Sequence, residues 1–269
     1  MVNFFIVGVQ KGGTTALDAY LRSSRHVQMS SRKEIHFFDC EDIDWSRPDY
    51  HALFNQFSWK AGSAPCRGEA TPIYSYWPNS LERLQRYNPE AKLILCLRHP
   101  AFRAHSHWRM EMRRGSETLS FEQAIAHVGR RRVQASKGCV HRMFSYVERG
   151  FYAEQILNMK RLFPTGQLLF LRTDELWRDP MRVLTRVHAF LGVPPPNAVE
   201  RAYVTPVDAL GLGAIPKEAL SMLNTLYADD IKLTCRLSGI DLDDWMSPDY
   251  RDISDLASAQ PTGGSVRAP

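Results

Sequence analysis

Gly8-Val9-Gln10-Lys11-Gly12-Gly13-Thr14-Thr15 is the stretch that decides the fold of this chain. An apolar run at residues 4–7 precedes it, and a helical pattern at residues 16–21 follows it. A strand, a glycine loop and a helix N-terminus in this order make a phosphate cradle, because glycines let backbone N–H groups close on an anion and the helix end adds partial positive charge. The stretch therefore predicts a site for a nucleotide phosphate.

The position of the lysine separates this loop from the triphosphate loop G-x-x-x-x-G-K-[ST]. Gly8 and Thr15 fit that frame, but Thr14 occupies the lysine slot and Lys11 lies three residues earlier. We expect the N–H groups of residues 12–15 and the two threonine hydroxyls to hold a 5′-phosphate, while Lys11 reaches the bridging oxygen of the leaving group. A glycine pair is often only a tight turn, but the strand, the helix and the lysine together favour phosphate binding.

The composition is typical of a soluble globular protein and limits the classes of ligand. The chain has 269 residues, 44% hydrophobic and 23% charged, and no run approaches the ~20 apolar residues of a membrane helix. Its net charge of +5 suits an anionic ligand and does not require nucleic acid. The five cysteines include no C-x-x-C pair, so we expect a reduced, cytoplasmic protein with neither a disulfide framework nor a metal.

The hydrophobic periodicity predicts an α/β fold. Buried strands are expected at residues 4–9, 91–97 and 167–171, with shorter strands at 26–29 and 67–71. Helical spacing covers residues 14–22, 79–87, 101–114, 121–132, 152–162, 180–191 and 217–237. Because apolar strands alternate with helices, we expect a single domain over residues 1–253, with a central parallel β-sheet flanked by helices and a P-loop-like strand–loop–helix. Residues 254–269 are polar and predict a disordered tail.

A basic residue follows the second long strand. In parallel sheets the ligand lies beyond the carboxyl ends of the strands, so we expect Arg98 at the same edge as the glycine loop. The planar guanidinium suits a second phosphate, whereas a kinase would more naturally carry an aspartate there for Mg²⁺. An arginine paired with a carboxylate at the sheet edge is an equal alternative. Ser106 lies about two helical turns beyond Arg98.

A third element, Ser31-Arg32-Lys33-Glu34-Ile35-His36-Phe37-Phe38-Asp39, offers acid–base chemistry. Glu34 and His36 are two residues apart, so an extended segment would point both side chains to one side. Phe37 and Phe38 would anchor the segment in the core, and a carboxylate held there can accept a proton from an alcohol. A lone glutamate in a polar loop is usually only solvated, and the neighbouring phosphate site favours a role for Glu34.

Together these motifs resemble those of sulfotransferases that use 3′-phosphoadenosine 5′-phosphosulfate (PAPS). Gln10-Lys11-Gly12-Gly13-Thr14-Thr15 is similar to their 5′-phosphosulfate loop. The stretch from Arg98 to Ser106 resembles their 3′-phosphate motif R-D-P-x-x-R-x-x-S, with His99 in place of Asp. Lys33-Glu34-Ile35-His36-Phe37-Phe38-Asp39 resembles the segment with the catalytic glutamate in heparan sulfate sulfotransferases, and Glu69-Ala70-Thr71-Pro72-Ile73-Tyr74 resembles their E-K-T-P-x-Y stretch.

The resemblance implies PAPS as donor, 3′,5′-adenosine bisphosphate (PAP) as product, and no metal. It implies that Glu34 is the general base on the acceptor hydroxyl, that Lys11 neutralises the leaving phosphate, and that His36 orients the acceptor or shares the proton. The heparan enzymes also clamp the nucleotide with a cysteine-bounded Lys-Gly-Arg loop, whereas residues 204–215 here hold no basic residue and no cysteine. The implied donor-binding residues are Gln10, Lys11, Gly12, Gly13, Thr14, Thr15, Arg98 and Ser106.

Two other functions stay open at the level of sequence. A phosphate-loop kinase would need a lysine at position 14 and a metal-holding aspartate, and Thr14 and Arg98 argue against it. A non-catalytic module that binds a nucleotide or polyanion would explain the charge but not the Lys-Glu-x-His pattern. The sequence carries no readable code for the acceptor, which we expect to be a small molecule, glycoside or natural product rather than a nucleic acid or a membrane.

Overall fold

The strands and helices come from a computed structural model that describes residues 1–59, 66–198, 211–247 and 249–252. The strands are β1 (Phe4–Gly8), β2 (Val27–Met29), β3 (Cys66–Ala70), β4 (Lys92–Leu97) and β5 (Leu168–Arg172). The helices are α1 (Thr14–Arg22), α2 (His51–Phe54), α3 (Ser80–Tyr87), α4 (Pro100–Arg113), α5 (Phe121–Ile125), α6 (His127–Gln134), α7 (Tyr152–Leu162), α8 (Thr173–Arg178), α9 (Pro180–Leu191) and α10 (Lys217–Ser238).

Within the described residues, the five strands form one parallel sheet in the order β2-β3-β1-β4-β5. Strand β1 is central and pairs with β3 on one side and with β4 on the other. Every strand expected from the sequence is present, and the α/β fold with a central parallel sheet is confirmed.

The two faces of the sheet bury alternate residues of β1. Phe5 and Val7 pack in the larger core, beneath α3, α4, α7 and α10, whereas Phe4 and Ile6 pack on the opposite face against α1 and α9. None of the four side chains is exposed. An apolar run without alternation is what a strand covered on both faces requires, so the sequence pattern and the layered architecture agree.

The helical structure predicted at residues 121–132 is present, but it is divided into two helices, α5 and α6. Ala126 joins them in an extended conformation, with φ −76° and ψ 176°. A Cβ at Gly129 would collide with the backbone of Ala124, so the missing side chain lets the two helices pack at backbone contact. The short helix α8, directly after β5, was also not predicted. The expected disordered tail lies outside the described residues, as does most of the region at residues 204–215.

The strand order places three loops side by side at the carboxyl edge of the sheet. They follow β3, β1 and β4. Strands β2 and β3 lie on one side of β1 and strands β4 and β5 lie on the other, so the direction in which the chain adds strands to the sheet reverses at β1. Such a switch point leaves a crevice between loops that diverge to opposite faces, and ligands of open α/β sheets bind there. The glycine loop after β1 lies in the middle of this crevice.

Candidate active site

The glycine loop is held from the side of β4 and β5. Val9 N–H donates to the Cys96 carbonyl at 3.0 Å, and the Thr173 hydroxyl is 2.7 Å from the Gly12 carbonyl. A Cβ at Gly12 would overlap the Cys96 carbonyl, so only glycine lets the loop lie this close to β4. Arg98 Nη1 donates to the Lys11 carbonyl at 3.2 Å. The carbonyl groups of Lys11 and Gly12 therefore accept hydrogen bonds from side chains outside the loop.

The N-terminus of α1 is suited to an anion. Gly13 precedes the helix in the left-handed conformation, with φ 82° and ψ 9°, and no side chain caps the helix. The first turn holds no acidic residue, so its backbone N–H groups, which have no partner inside the helix, are free of a competing carboxylate. Thr14 is buried and Thr15 is exposed. This arrangement fits the predicted 5′-phosphate.

Lys11 lies in a strongly positive environment. Burial lowers its pKa to about 8, and repulsion from Arg98, Arg113 and Arg114 contributes in the same direction. Attraction from the Glu34 carboxylate opposes this lowering of the pKa. An anion bound at the loop would relieve this repulsion and favour the charged lysine.

Gln10 is bonded to a buried arginine that the sequence reasoning did not assign. Arg149 Nη1 donates to the Gln10 side-chain oxygen, and Arg149 Nη2 donates to the Arg142 carbonyl at 2.7 Å. Burial and then the nearby Arg103 lower the pKa of Arg149 to about 9. The Arg149 Nε atom is buried and has no hydrogen-bond partner in the part of the chain that the structure describes. Positive charge thus collects beneath the loop as well as around Lys11.

The Glu34 segment lies on the other side of β1, and its backbone is hydrogen-bonded to the residues at the end of β3. Glu34 N–H donates to the Ala70 carbonyl at 2.9 Å. Ile35 N–H donates to the Glu69 carboxylate at 3.3 Å, and His36 N–H donates to the Thr71 hydroxyl at 3.4 Å. The E-x-T-P-x-Y stretch therefore supplies acceptors for the backbone that carries the candidate base.

The Tyr74 hydroxyl is a further hydrogen-bond acceptor for the backbone of the same segment. It accepts from Phe37 N–H at 3.1 Å and from Phe38 N–H at 3.4 Å. Both phenylalanines are buried, as predicted, and the Phe38 ring meets the Tyr74 ring edge-on at 5.5 Å. The segment is therefore anchored by its backbone as well as by its aromatic side chains.

Glu34 and His36 are neighbours in the site, but the segment is not extended. Both residues have left-handed backbone, with φ of 60° and 58°. Their side chains nevertheless meet, with His36 Nε2 at 3.9 Å from the Glu34 carboxylate. The predicted proximity is confirmed and its predicted geometric reason is wrong, because the N–H bonds to the end of β3 impose a curled backbone.

Asp39 completes a row of three groups. Its carboxylate lies 2.9 Å from His36 Nδ1 and also accepts from Arg142 Nη1. Burial alone would raise the pKa of this fully buried carboxyl, but the hydrogen bonds from His36 and Arg142 outweigh it and lower the pKa. An anionic Asp39 orients the imidazole so that its other nitrogen faces Glu34. The motif Lys-Glu-Ile-His-Phe-Phe-Asp contained this residue, but spacing alone did not indicate its contact.

Glu69 is a second, buried carboxyl next to this row. Burial raises its pKa to about 7, against the effect of hydrogen bonds from Thr71 and from the Ile35 N–H group. Its Oε2 atom has no partner among the described residues. Glu69 accepts a hydrogen bond from the Ile35 N–H group, and this bond positions the backbone next to the candidate base Glu34.

Arg98 lies at the predicted edge, where it forms an ion pair. Its Nε donates to Asp252 at 3.0 Å, its Nη2 donates to the second oxygen of the same carboxylate, and both side chains are buried. The carboxylate pairing considered for Arg98 is therefore confirmed, and its binding of a second phosphate stays a prediction. Ser106 lies half-buried on α4, on the same helix that Arg98 precedes.

His99 explains how the R-D-P pattern tolerates a histidine. Its Nδ1 accepts from Ala101 N–H at 3.3 Å and so caps α4, as an aspartate would. Its Nε2 lies 2.9 Å from the Trp245 carbonyl, which requires the proton on that nitrogen. Burial lowers the pKa of His99 to about 4, so the neutral ring with one donor and one acceptor persists at neutral pH. Trp245 is itself buried.

These features define an α/β protein with an uncapped helix N-terminus, suited to an anion, beside a row of acid–base groups. The sulfotransferase domain family matches residues 2–206, and the chain therefore belongs to this family. The family predicted from the sequence is confirmed. No helix in the described ranges is long and apolar enough to cross a membrane.

Curated relatives are about 31% identical to this chain over the aligned residues. Heparan sulfate glucosamine 3-O-sulfotransferases 3B1 and 3A1 of Mus musculus are each 31% identical over 191 residues, which is 70% of this chain and 45% of the relative. The membrane-associated sulfotransferase kil1 of Dictyostelium discoideum is 31% identical over 151 residues, or 54% of this chain and 31% of the relative. The chain thus spans less than half the length of these proteins.

Solved structures extend the likeness to the fold. A sulfotransferase from Alicyclobacillus acidocaldarius superimposes with a TM-score of 0.76 at 28% identity, covering 92% of this chain and 99% of that one. The sulfotransferase domain of the Synechococcus PCC 7002 olefin synthase has a TM-score of 0.53 at 18% identity, covering 90% and 96%. The second likeness concerns the fold alone.

Proposed function

We propose that this protein transfers a sulfuryl group from PAPS to a hydroxyl group of a glycan or glycoside. Membership of the sulfotransferase family supports the reaction class. The observation that carries the proposal is the row formed by Glu34, His36 and Asp39, in which His36 lies 3.9 Å from Glu34 and 2.9 Å from Asp39, because it pairs a candidate base with the uncapped N-terminus of α1 at the same edge of the sheet. A binding module would have no need of that pairing.

The donor side of the proposal rests on the glycine loop. The N–H groups at the start of α1, with Thr14 and Thr15, would hold the 5′-phosphate. PAPS would supply the sulfuryl group at this position. Lys11 would neutralise the charge that develops on the departing phosphate oxygen, and its positive surroundings make that role stronger than it would be in water.

The acceptor side rests on the Glu34, His36 and Asp39 row. Glu34 would take the proton of the acceptor hydroxyl while the oxygen forms its bond to sulfur and the bond from sulfur to the phosphate oxygen breaks. His36, oriented by Asp39 at 2.9 Å, would hold the acceptor or share that proton. Glu34 is about two-fifths exposed, so it is accessible to an acceptor from solvent.

The charge at the mouth of the site favours an acidic acceptor. Arg113 and Arg114 act on Lys11, and Arg142 lies over the ring of Trp77 at 4.1 Å while its guanidinium contacts Asp39. Several relatives are named for heparan sulfate glucosamine, which supports a glycan with acidic groups over a neutral natural product. The cytoplasmic location expected from the sequence stays a prediction.

A screen with ³⁵S-labelled PAPS tests the proposal directly. Acidic glycans, neutral glycosides and phenols are offered in parallel, and mass spectrometry locates the added sulfate. We expect label on an acidic glycan with wild-type protein and labelling slowed by ~10²-fold or more with Lys11→Ala. Transfer to no acceptor, or turnover of ATP with Mg²⁺ in its place, would reject the proposal and favour the binding or kinase alternatives.

A further inference from the structure

The chain after α10 returns to the sheet as a strap, which we define as the described residues from Ile240 to Asp252. Arg172, at the end of β5, fixes the start of the C-terminal strap by binding the Asp244 carboxylate at 2.7 and 2.9 Å and the Asp241 carbonyl at 2.8 Å. The strap is therefore tied to the carboxyl edge of the sheet, where the candidate donor site lies.

His99 fixes the second half of the C-terminal strap. Its Nε2 bonds to the Trp245 carbonyl, and its ring stacks on Tyr250 with 4.9 Å between ring centroids and 27° between the planes. His99 directly follows Arg98, so these contacts bring the end of the strap to the Arg98 guanidinium. The packing of the strap therefore places Asp252 next to that guanidinium.

The contact of Asp252 with Arg98 occupies a whole face of the guanidinium. Nε and Nη2 each donate to a different oxygen of the carboxylate, while Nη1 donates to the Lys11 carbonyl. This bidentate geometry is the one by which arginine binds two oxygens of a phosphate. Asp252 is 1% exposed and Arg98 is 6% exposed, so solvent screens the pair only weakly.

We infer that Asp252 determines the affinity of this site for nucleotides with a 3′-phosphate, because its carboxylate holds the face of Arg98 that such a phosphate would take. The inference rests on the proposed function, in which Arg98 binds the 3′-phosphate of PAPS. PAP has to displace Asp252 to reach Arg98, whereas AMP, which lacks the 3′-phosphate, leaves the pair intact. Asp252 therefore weakens the binding of PAP and not that of AMP.

Calorimetry of the full chain with PAP and with AMP tests the inference. Asp252→Asn keeps the size of the side chain and removes its charge, so we expect PAP to bind about tenfold tighter or more, while AMP changes by less than about twofold. Asp249→Asn removes an equal charge from an exposed position of the same strap and is expected to leave both affinities unchanged. Equal or weaker binding of PAP to Asp252→Asn would overturn the inference.

The outcomes separate this inference from the proposed function. If wild-type protein binds PAP and Asp252→Asn binds it no more tightly, the inference fails and the donor assignment stands. If neither protein binds PAP, both fail.

Hydrogen exchange on the wild-type chain gives a second test that does not depend on the folding of a variant. We expect the peptide containing Tyr250 and Asp252 to exchange faster when PAP saturates the site than when AMP does. Equal exchange with both nucleotides would contradict displacement of Asp252.

Discussion

The glycine loop and the Glu34 segment flank the same strand, β1, yet they are held in different ways. The loop is a continuous stretch between a strand and a helix, and glycine at position 12 lets it lie against β4. The Glu34 segment has no regular structure of its own, and its N–H groups bond to Glu69, Thr71 and Tyr74. The loop therefore depends mainly on its own residues, whereas the segment depends on another part of the chain.

The largest expected effects come from the reacting group of each region. Lys11→Ala and Glu34→Gln should each reduce kcat by ~10²-fold or more, the scale for losing a positioned charge or base. Steady-state kinetics with labelled donor measures this, with the exposed α7 substitutions Lys160→Ala and Glu154→Gln as controls. Turnover of Glu34→Gln within a few-fold of wild type would remove the segment from the chemistry.

The next effect concerns Asp39, which reaches the candidate base through His36 and is also bonded to Arg142. Asp39→Asn removes the anion that orients the imidazole, so we expect kcat to fall about tenfold or more while the Kd for PAP stays at the wild-type value. A parallel loss of PAP affinity would mean that the two regions are coupled through Arg142 and Arg149, which bond to Asp39 and Gln10 respectively. Kinetics and calorimetry on the same preparation distinguish the two results.

The third effect is a pH dependence that belongs to the loop alone. Lys11 is charged below its pKa of about 8 and loses its proton above it, so kcat/KM should fall about tenfold per pH unit on the alkaline side. Donor binding adds negative charge and raises the pKa of Lys11. The alkaline fall in kcat should therefore lie at a higher pH than the alkaline fall in kcat/KM. An arginine at position 11 stays charged at alkaline pH. The remaining activity of Lys11→Arg should therefore show no alkaline fall in this pH range. An unchanged alkaline fall in this variant would assign the titration to another group.

The smallest effect should come from the support of the Glu34 segment. Tyr74→Phe leaves two buried N–H groups, those of Phe37 and Phe38, without their acceptor, which costs roughly 1–3 kcal/mol of unfolding free energy. We expect a lower Tm and a few-fold loss in kcat at unchanged PAP affinity. Tyr50→Phe, whose ring packs on Phe37 at 5.6 Å without bonding these N–H groups, is the matched control. A loss of PAP affinity in Tyr74→Phe would show that the two regions are not independent.

The elements that the sequence predicted correctly are those specified by neighbouring residues. All five strands were expected, because apolar runs bounded by glycine, proline or charge are local signals. The break at Ala126 was missed, because the apolar spacing continues across it while Gly129 allows a close backbone contact. Side-chain periodicity does not report such contacts.

The candidate site was predicted as a set of residues but not as a set of contacts. Lys11, Glu34 and Arg98 were named from their motifs, and the fold brings them to one edge of the sheet. The carboxylate that pairs with Arg98 was not identified, because Arg98 and Asp252 are 154 positions apart in the chain. No local pattern links residues at that separation.

The sequence by itself determined the parallel sheet, the phosphate loop with its displaced lysine, and the family, because each depends on the spacing of adjacent residues. Only the tertiary structure decided that Glu34 and His36 meet on a curled backbone, that Asp39 orients the imidazole, and that Asp252 occupies Arg98. These contacts depend on how buried hydrogen-bond donors and charges from distant segments find partners once water is excluded, which is a property of the packed chain.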